Sequence, residues 1–287
     1  MALSPINRRK FIGLATGAGV VALAADSILL DPNFPVVIRR EISLARWPEK
    51  LDGFTIALLS DFHYDRIFSV HPIAAAVRMV NDLRPDLIAL TGDFVSVPWA
   101  GSHAKAAAAA EPCARLLGQL HAPHGVWSVL GNHDCFTDPD RVTAALQAEK
   151  IPVMVNQSVA IERDGARFWL SGVDDVLAKG ASLDRTLHGV PKDEAVVLMV
   201  HEPDFADKVA RYPVDLQISG HSHGGQVRMP LVGPLYLPEL ARKYVWGLYR
   251  IGELTLYTNA GLGTVEIPVR FRCAPEITML TIRRGKS

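Results

Sequence analysis

The chain has 287 residues, with 30 Lys and Arg against 30 Asp and Glu, 49% hydrophobic residues and 21% charged ones. An even charge balance argues against a dedicated nucleic-acid binder and the supply of aliphatics against disorder, while this length buries a substantial core without disulfide staples, as one large domain or two small ones. Three cysteines, Cys113, Cys135 and Cys273, form no CxxC pair and support neither a disulfide framework nor a thiolate-ligated zinc site.

In chain order the first feature is a leader. Arg8, Arg9 and Lys10 precede an apolar run over residues 11–25, which Asp26 closes. A spanning helix needs about 20 apolar residues, so the run is short for one, and Ala22-Leu23-Ala24 offers a small-x-small cleavage pattern. The Arg8-Arg9 pair resembles the export signal that the twin-arginine translocase reads on folded cargo. Residues 1–30 are expected to be a twin-arginine-type signal or, left uncleaved through Ile28-Leu29-Leu30, a membrane anchor. Residues 31–287 are then an exported body, periplasmic or on the outer face of the cytoplasmic membrane.

In the body, residues 54–60 read as a buried strand, 73–83 as an amphipathic helix and 87–91 as a second strand. Residues 104–120 read as a helix interrupted near Pro112, 126–130 as a third strand and 140–150 as a further helix. Strand-like runs follow at 168–173, 196–200, 216–219, 254–258 and 277–282. That layout predicts sheets packed face to face with helices outside, so that strand ends can present loops to a shared site.

Those strand ends carry the chemistry. The first is followed by Asp61-Phe62-His63, the second by Gly92-Asp93 and the third by Gly131-Asn132-His133-Asp134. Two later runs end at His201 and at Gly220-His221-Ser222-His223. Singly, each has a plain structural reading: Asn132 shapes a turn, His201 is a satisfied core histidine. Five strands delivering Asp, His or Asn to the same end is a coincidence that chance does not supply.

The ordered set D-x-H, G-D, G-N-H-D, a lone His and G-H-x-H resembles the calcineurin-like metallophosphoesterases, and the resemblance covers Asp61 to His223 with flanking sheet on both sides. It implies an α/β fold of four layers, αββα, in which two mixed sheets pack together between outer helices, with a binuclear metal centre in the cleft at the strand ends. By that resemblance Asp61, His63 and His223 hold one ion, Asn132, His201 and His221 the other, and Asp93 bridges them. His133 faces the substrate as a proton donor or transition-state contact. The implied activity is hydrolysis of a phosphodiester, phosphomonoester or pyrophosphate by a hydroxide that two divalent ions activate. Two carboxylates against two dications keep the centre positive for an anionic substrate, and nitrogen and oxygen donors without thiolate suit Mn, Fe or Zn.

Neighbouring residues have two readings each. Asp134 either orients the His133 imidazole or bonds nearby backbone amides, and Asp65 either backs the metal ligands or caps a solvated loop. Cys135 is read as packing. Gly92-Asp93 is followed by Phe94-Val95, which argues against the purple acid phosphatase subgroup and its tyrosine ligand. The apolar, proline-punctuated residues 231–249 either pack over the second sheet or form an exposed lip, with Arg228, Arg242, Lys243 and Arg250 near it and Arg228 as a candidate substrate contact. The pattern GHSHGGQ, with Asn259-Ala260-Gly261-Leu262-Gly263 and a later Pro275-Glu276-Ile277, resembles a bacterial branch of exported or membrane-associated phosphodiesterases that includes UDP-diacylglucosamine pyrophosphatases. That likeness implies a membrane lipid as substrate, of the UDP-diacylglucosamine or phospholipid type, with the membrane surface as a partner. A soluble phosphomonoesterase, a cyclic-nucleotide phosphodiesterase and an inactive metal-binding scaffold stay open as alternatives. The scaffold reading calls for missing ligands, and none is missing. No basic run with interleaved aromatics points to a nucleic-acid partner.

Overall fold

Two four-residue runs, Leu87–Leu90 (β3) and Val196–Met199 (β7), are buried at every position, a pattern that requires cover on both faces of a sheet. The computed structural model describes Ser27, residues 31–98 and residues 102–285, and it supplies that cover with two sheets and outer helices. The first sheet runs β1 (Val36–Leu44), β13 (Glu276–Arg284), β2 (Phe54–Leu59), β3 and β4 (Val126–Ser128), with only the β13–β2 pair antiparallel. The second runs β11 (Gly247–Ile251), β12 (Leu254–Thr258), β8 (Leu216–Ser219), β7, β6 (Ala166–Gly172) and β5 (Gln157–Arg163). Its two outer pairs are antiparallel and its inner strands parallel.

Side-chain alternation along the strands sorts the core into layers. Ile56 and Leu58 of β2, Leu87 and Ala89 of β3, Val197 and Met199 of β7, and Leu216 and Ile218 of β8 interdigitate between the sheets, around the aromatic trio Trp47, Phe54 and Phe168. The opposite parity, Ala57 and Leu59 with Ile88 and Leu90, meets helices α1 (Val70–Leu83), α3 (Ala110–Leu117) and α5 (Pro139–Ala148). Outside the second sheet the cover is thin: the one-turn helices α6 (Leu183–Thr186) and α7 (Ala206–Val209), with loops carrying Tyr244. The expected two-sheet sandwich is present, with an unequal pair of outer layers.

Three expectations shift. The break in the alanine-rich helix falls between α2 (His103–Ala107) and α3, upstream of Pro112. Pro112 sits in the first turn of α3, where its missing N–H leaves no hydrogen bond unmade. Gly131-Asn132-His133-Asp134 opens a short helix, α4 (Asn132–Thr137), rather than a plain turn. In the two large sheets, strands β1, β5 and β11 add to the expected set. The expected leader, residues 1–30, lies outside the described residues apart from Ser27. No helix among the described residues is long and apolar enough to cross a membrane.

Candidate metal centre

The C-terminal ends of β2, β3, β7 and β8 converge, and the segment after β4 joins them. Backbone bonds lock these ends to one another. Phe62 and His63 both donate to the Asp93 carbonyl, at 2.8 and 2.9 Å, and Gly220 donates to the His201 carbonyl at 3.0 Å. Asp61, His63, Asp93, His221 and His223 all take left-handed backbone angles, with φ between 40° and 68°. Non-glycine residues adopt that region at a cost, and runs of them mark sites where the surrounding structure dictates direction.

The side chains so aimed form three close groups: Asp61, His63 and His223; His63, Asp93 and His133; and Asp93, His201 and His221. Asp93 is the hinge between them. Its Oδ1 accepts the His133 amide at 2.9 Å, which leaves Oδ2 to face His63 Nε2 at 3.5 Å and His201 Nε2 at 3.2 Å. Asp61 accepts the His221 amide on both oxygens and lies 3.4 Å from His223 Nε2. Of the expected ligands, Asp61, His63, Asp93, His201, His221 and His223 lie in these groups, and Asn132 and His133 stand on the wall of the adjoining cavity.

Most of the rings are turned inward by a contact on their far nitrogen, as metal-ligating imidazoles are. His63 Nδ1 meets Ser96 Oγ at 3.0 Å, His201 Nδ1 meets the Thr91 carbonyl at 2.6 Å, and His221 Nε2 meets the Glu239 carbonyl at 2.8 Å. His133 differs: its Nδ1 accepts the Val97 amide at 2.9 Å, so in the neutral ring the proton resides on Nε2.

The fit to a cation rests on what is left unsatisfied. Asn132 Oδ1 and His223 Nδ1 are buried without a hydrogen-bond partner, His201 Nε2 has only the Asp93 carboxylate, 3.2 Å away, and His63 Nε2 and His223 Nε2 face each other at 3.0 Å. Buried polar atoms in such number call for a bound group. Burial and neighbouring imidazoles push His63 and His221 down to about 3 and His223 well below its usual value, so all three are neutral donors at pH 7. His201 moves the other way: burial lowers it, but Asp93 and Asp61 overcome that and raise it well above its usual value. The site asks for positive charge. The donors are nitrogen and oxygen. Burial and the Asp175 carboxylate drive the Cys135 thiol upward, and burial raises that of Cys273, whose Sγ donates to the His223 carbonyl at 3.2 Å, so both stay protonated.

Among the neighbours, Asp134 accepts four backbone amides. Oδ1 takes Phe94 and Val95 at 2.8 and 3.1 Å, and Oδ2 takes Asp93 and Gly131 at 2.9 and 3.0 Å. It ties the Gly92-Asp93 loop to the Gly131 turn and makes no bond to the His133 ring. Asp65 caps its own loop through the Ile67 and Phe68 amides. Arg228 donates to the Gly224 carbonyl and stacks over Trp246, away from the cavity wall. Of the other basic groups expected at a lip, Lys243 pairs with Asp207 and Arg250 donates to Thr255.

Residues 259–276 hold the centre from behind. Gly261 (φ 73°) packs on Asp61, and the Leu262 and Gly263 amides donate to the Ser60 and Asp61 carbonyls at 2.9 and 2.7 Å. Fully buried Arg270 binds the carbonyls of Ala260, Gly263 and Cys273. The glycine spacing of Asn259 to Gly263 was the visible signal for this loop; Arg270 carried none, because one arginine in a sequence gives no sign of burial.

Residues 54–225 match the family model for the calcineurin-like phosphoesterases, and the chain belongs to that family. It is a metallophosphoesterase, a hydrolase of phosphoesters. Over 290 residues it is 32% identical to the "Uncharacterized metallophosphoesterase YkuE" of Bacillus subtilis, covering 98% of this chain and 99% of the relative. Over 285 residues it is 30% identical to "Phosphodiesterase YaeI" of Escherichia coli, covering 96% and 99%. A "Transmembrane protein with metallophosphoesterase domain" of Danio rerio is 30% identical over 277 residues, which span 92% of this chain and 61% of the relative.

Proposed function

We propose that the chain hydrolyses a phosphodiester or pyrophosphate bond in an amphiphilic, lipid-like substrate, at a centre that holds two divalent ions of the Mn, Fe or Zn kind. Asp61, His63 and His223 hold one ion, Asn132, His201 and His221 the other, and Asp93 serves both. When bound, the ions neutralise the phosphate and supply an acidified water as nucleophile. The protein's own part is positional. Asp93 Oδ2 faces both groups, and His133, with its proton on Nε2, donates to the departing oxygen.

The observation that carries the substrate class is the cavity of about 390 Å³ that begins at Asp93, Asn132, His133, His221 and His223. The rest of its wall is largely apolar, with Leu177, Val227, Leu235, Tyr236, Val265 and Ile267 beside Gln226, Glu239 and Glu266. A soluble nucleotide leaves that wall wet, whereas an acyl or isoprenoid chain next to the phosphate covers it. The name of the E. coli relative, a phosphodiesterase, agrees with the bond type. The export leader and a periplasmic or outer-face location belong to the same reading, since the substrate lies in a membrane. The test is a panel of dispersed phospholipids, nucleotide-linked lipids and bis(p-nitrophenyl) phosphate, with Leu235→Asp and Ile267→Asp beside the wild type. The reading expects lipid turnover to fall at least about tenfold in the variants while bis(p-nitrophenyl) phosphate turnover holds. Turnover confined to soluble nucleotides ends the lipid assignment.

A further inference from the structure

Beyond the cavity wall lies an apolar surface that no step of hydrolysis uses. Strands β9 (Arg228–Met229) and β10 (Gly233–Pro234) form a short hairpin, and Leu231 at its tip is fully exposed in a left-handed backbone conformation, φ 67°. Its neighbour Val232 is 74% exposed. Tyr236, at 68%, and Ile267, at 53%, continue the surface to the cavity mouth. Ile267 also borders a second cavity with Phe68, the cations Arg66 and Lys105 and the carboxylates Asp65 and Glu266, of which Asp65 is engaged by the Ile67 and Phe68 amides. A soluble enzyme gains nothing from a leucine held in a costly conformation in water, so the surface calls for an apolar partner.

The course of the chain points to that partner. The apolar run at residues 11–25 ends two residues before Ser27, and the Ser27 carbonyl accepts the amide of Arg270 at 3.0 Å, three residues beyond Ile267. Residues Asp31–Asn33 pack on α1, which begins just after the exposed Ile67 and Phe68. The leader thus joins the body at the same edge that carries the apolar surface, and Arg66 and Lys105 place positive charge there for anionic headgroups.

We propose that the β9–β10 tip, with Leu231 and Val232, inserts into the interfacial layer of an anionic bilayer and sets the cavity mouth against it. This rests on the lipid-substrate reading above and names the surface through which such a substrate would enter. Total vesicle binding does not isolate the hairpin, because the leader's apolar run itself favours a bilayer. Segment-resolved amide exchange does. The full chain is incubated with and without vesicles of phosphatidylglycerol and phosphatidylethanolamine, beside the double variant Leu231→Asn, Val232→Ser, in which asparagine suits the left-handed position.

The expected result is exchange at 229–236 slowed at least about tenfold by vesicles in the wild type and less than about twofold in the variant, with bis(p-nitrophenyl) phosphate turnover unchanged. Vesicles that leave the segment unaffected, or protect the variant equally, overturn the proposal. Protection that rises with protein concentration in the absence of vesicles assigns the surface to a second copy of the chain and also overturns it. Hairpin protection without cleavage of any vesicle-borne phosphodiester or pyrophosphate leaves the docking surface standing and removes the lipid substrate.

Discussion

Replacing Asp134 by Asn separates two roles for the residue after His133. The four amides it accepts are split evenly, two on each carboxylate oxygen. Asparagine is nearly isosteric but presents one oxygen and one NH2, so in either orientation two buried amides face a donor. Each unsatisfied amide costs about 1–3 kcal/mol, which puts Asp134→Asn at about 2–6 kcal/mol of stability. Urea denaturation of the chelator-treated and metal-loaded protein measures this directly, with metal retention and kcat followed in parallel. The His133 ring is held by the Val97 amide instead, so the loss should appear first in stability and metal retention, and the pH profile of surviving activity should keep its shape. A variant within about 0.5 kcal/mol of wild type, with kcat alone reduced, would refute the clamp and restore Asp134 as the orienter of His133.

Gly263→Ala drives a methyl into the Phe62 carbonyl and to 3.0 Å from the Asp61 carbonyl; the D-x-H turn must shift, and metal retention should fall together with the denaturation midpoint. Arg270→Met leaves three buried carbonyls without their donor, a loss of about 3 kcal/mol or more in urea denaturation; an unchanged midpoint would show that the loop at 259–263 holds itself. Glu194 is lowered from 4.5 by its bond to Arg167, with Trp169 assisting. A depressed carboxyl contributes stability above the unfolded value that is lost as pH falls through the folded one. Glu194→Gln should therefore cost under about 1 kcal/mol at pH 7 and nothing below the folded value, the small size following from solvent exposure. Denaturation midpoints measured as a series from pH 7 into acid check the sign.

The candidate ligands were legible in the sequence because each stands at the end of a short apolar run, and a strand buried on both faces has no polar alternation to blur its limits. Strands β1, β5 and β11 were not legible for the opposite reason. All three lie at sheet edges, and Arg39, Arg40 and Glu41 in the middle of β1 face solvent, which breaks the apolar pattern. Residues 231–249 held both of their readings at once: Leu231, Val232 and Tyr236 are exposed, whereas Ala241 and Tyr244 are buried, the latter packing on the second sheet. Asp134 was legible as a residue that bonds nearby amides such as that of Gly131, but its bonds to the Asp93, Phe94 and Val95 amides, 39 to 41 positions away, follow from the fold alone, as does the burial of Arg270 among carbonyls three to ten residues from it.

The central claim is one shared centre in which Asp93 serves two ions. Metal content per chain, measured by mass spectrometry on dialysed wild type and Asp93→Ala alongside phosphodiester turnover, tests it most directly. The account predicts two divalent ions in the wild type, at most one in the variant, and turnover reduced by at least about a thousandfold, in line with the loss of metal-borne charge stabilisation. Two ions retained with turnover intact in Asp93→Ala, or full turnover by metal-free wild type, would contradict it.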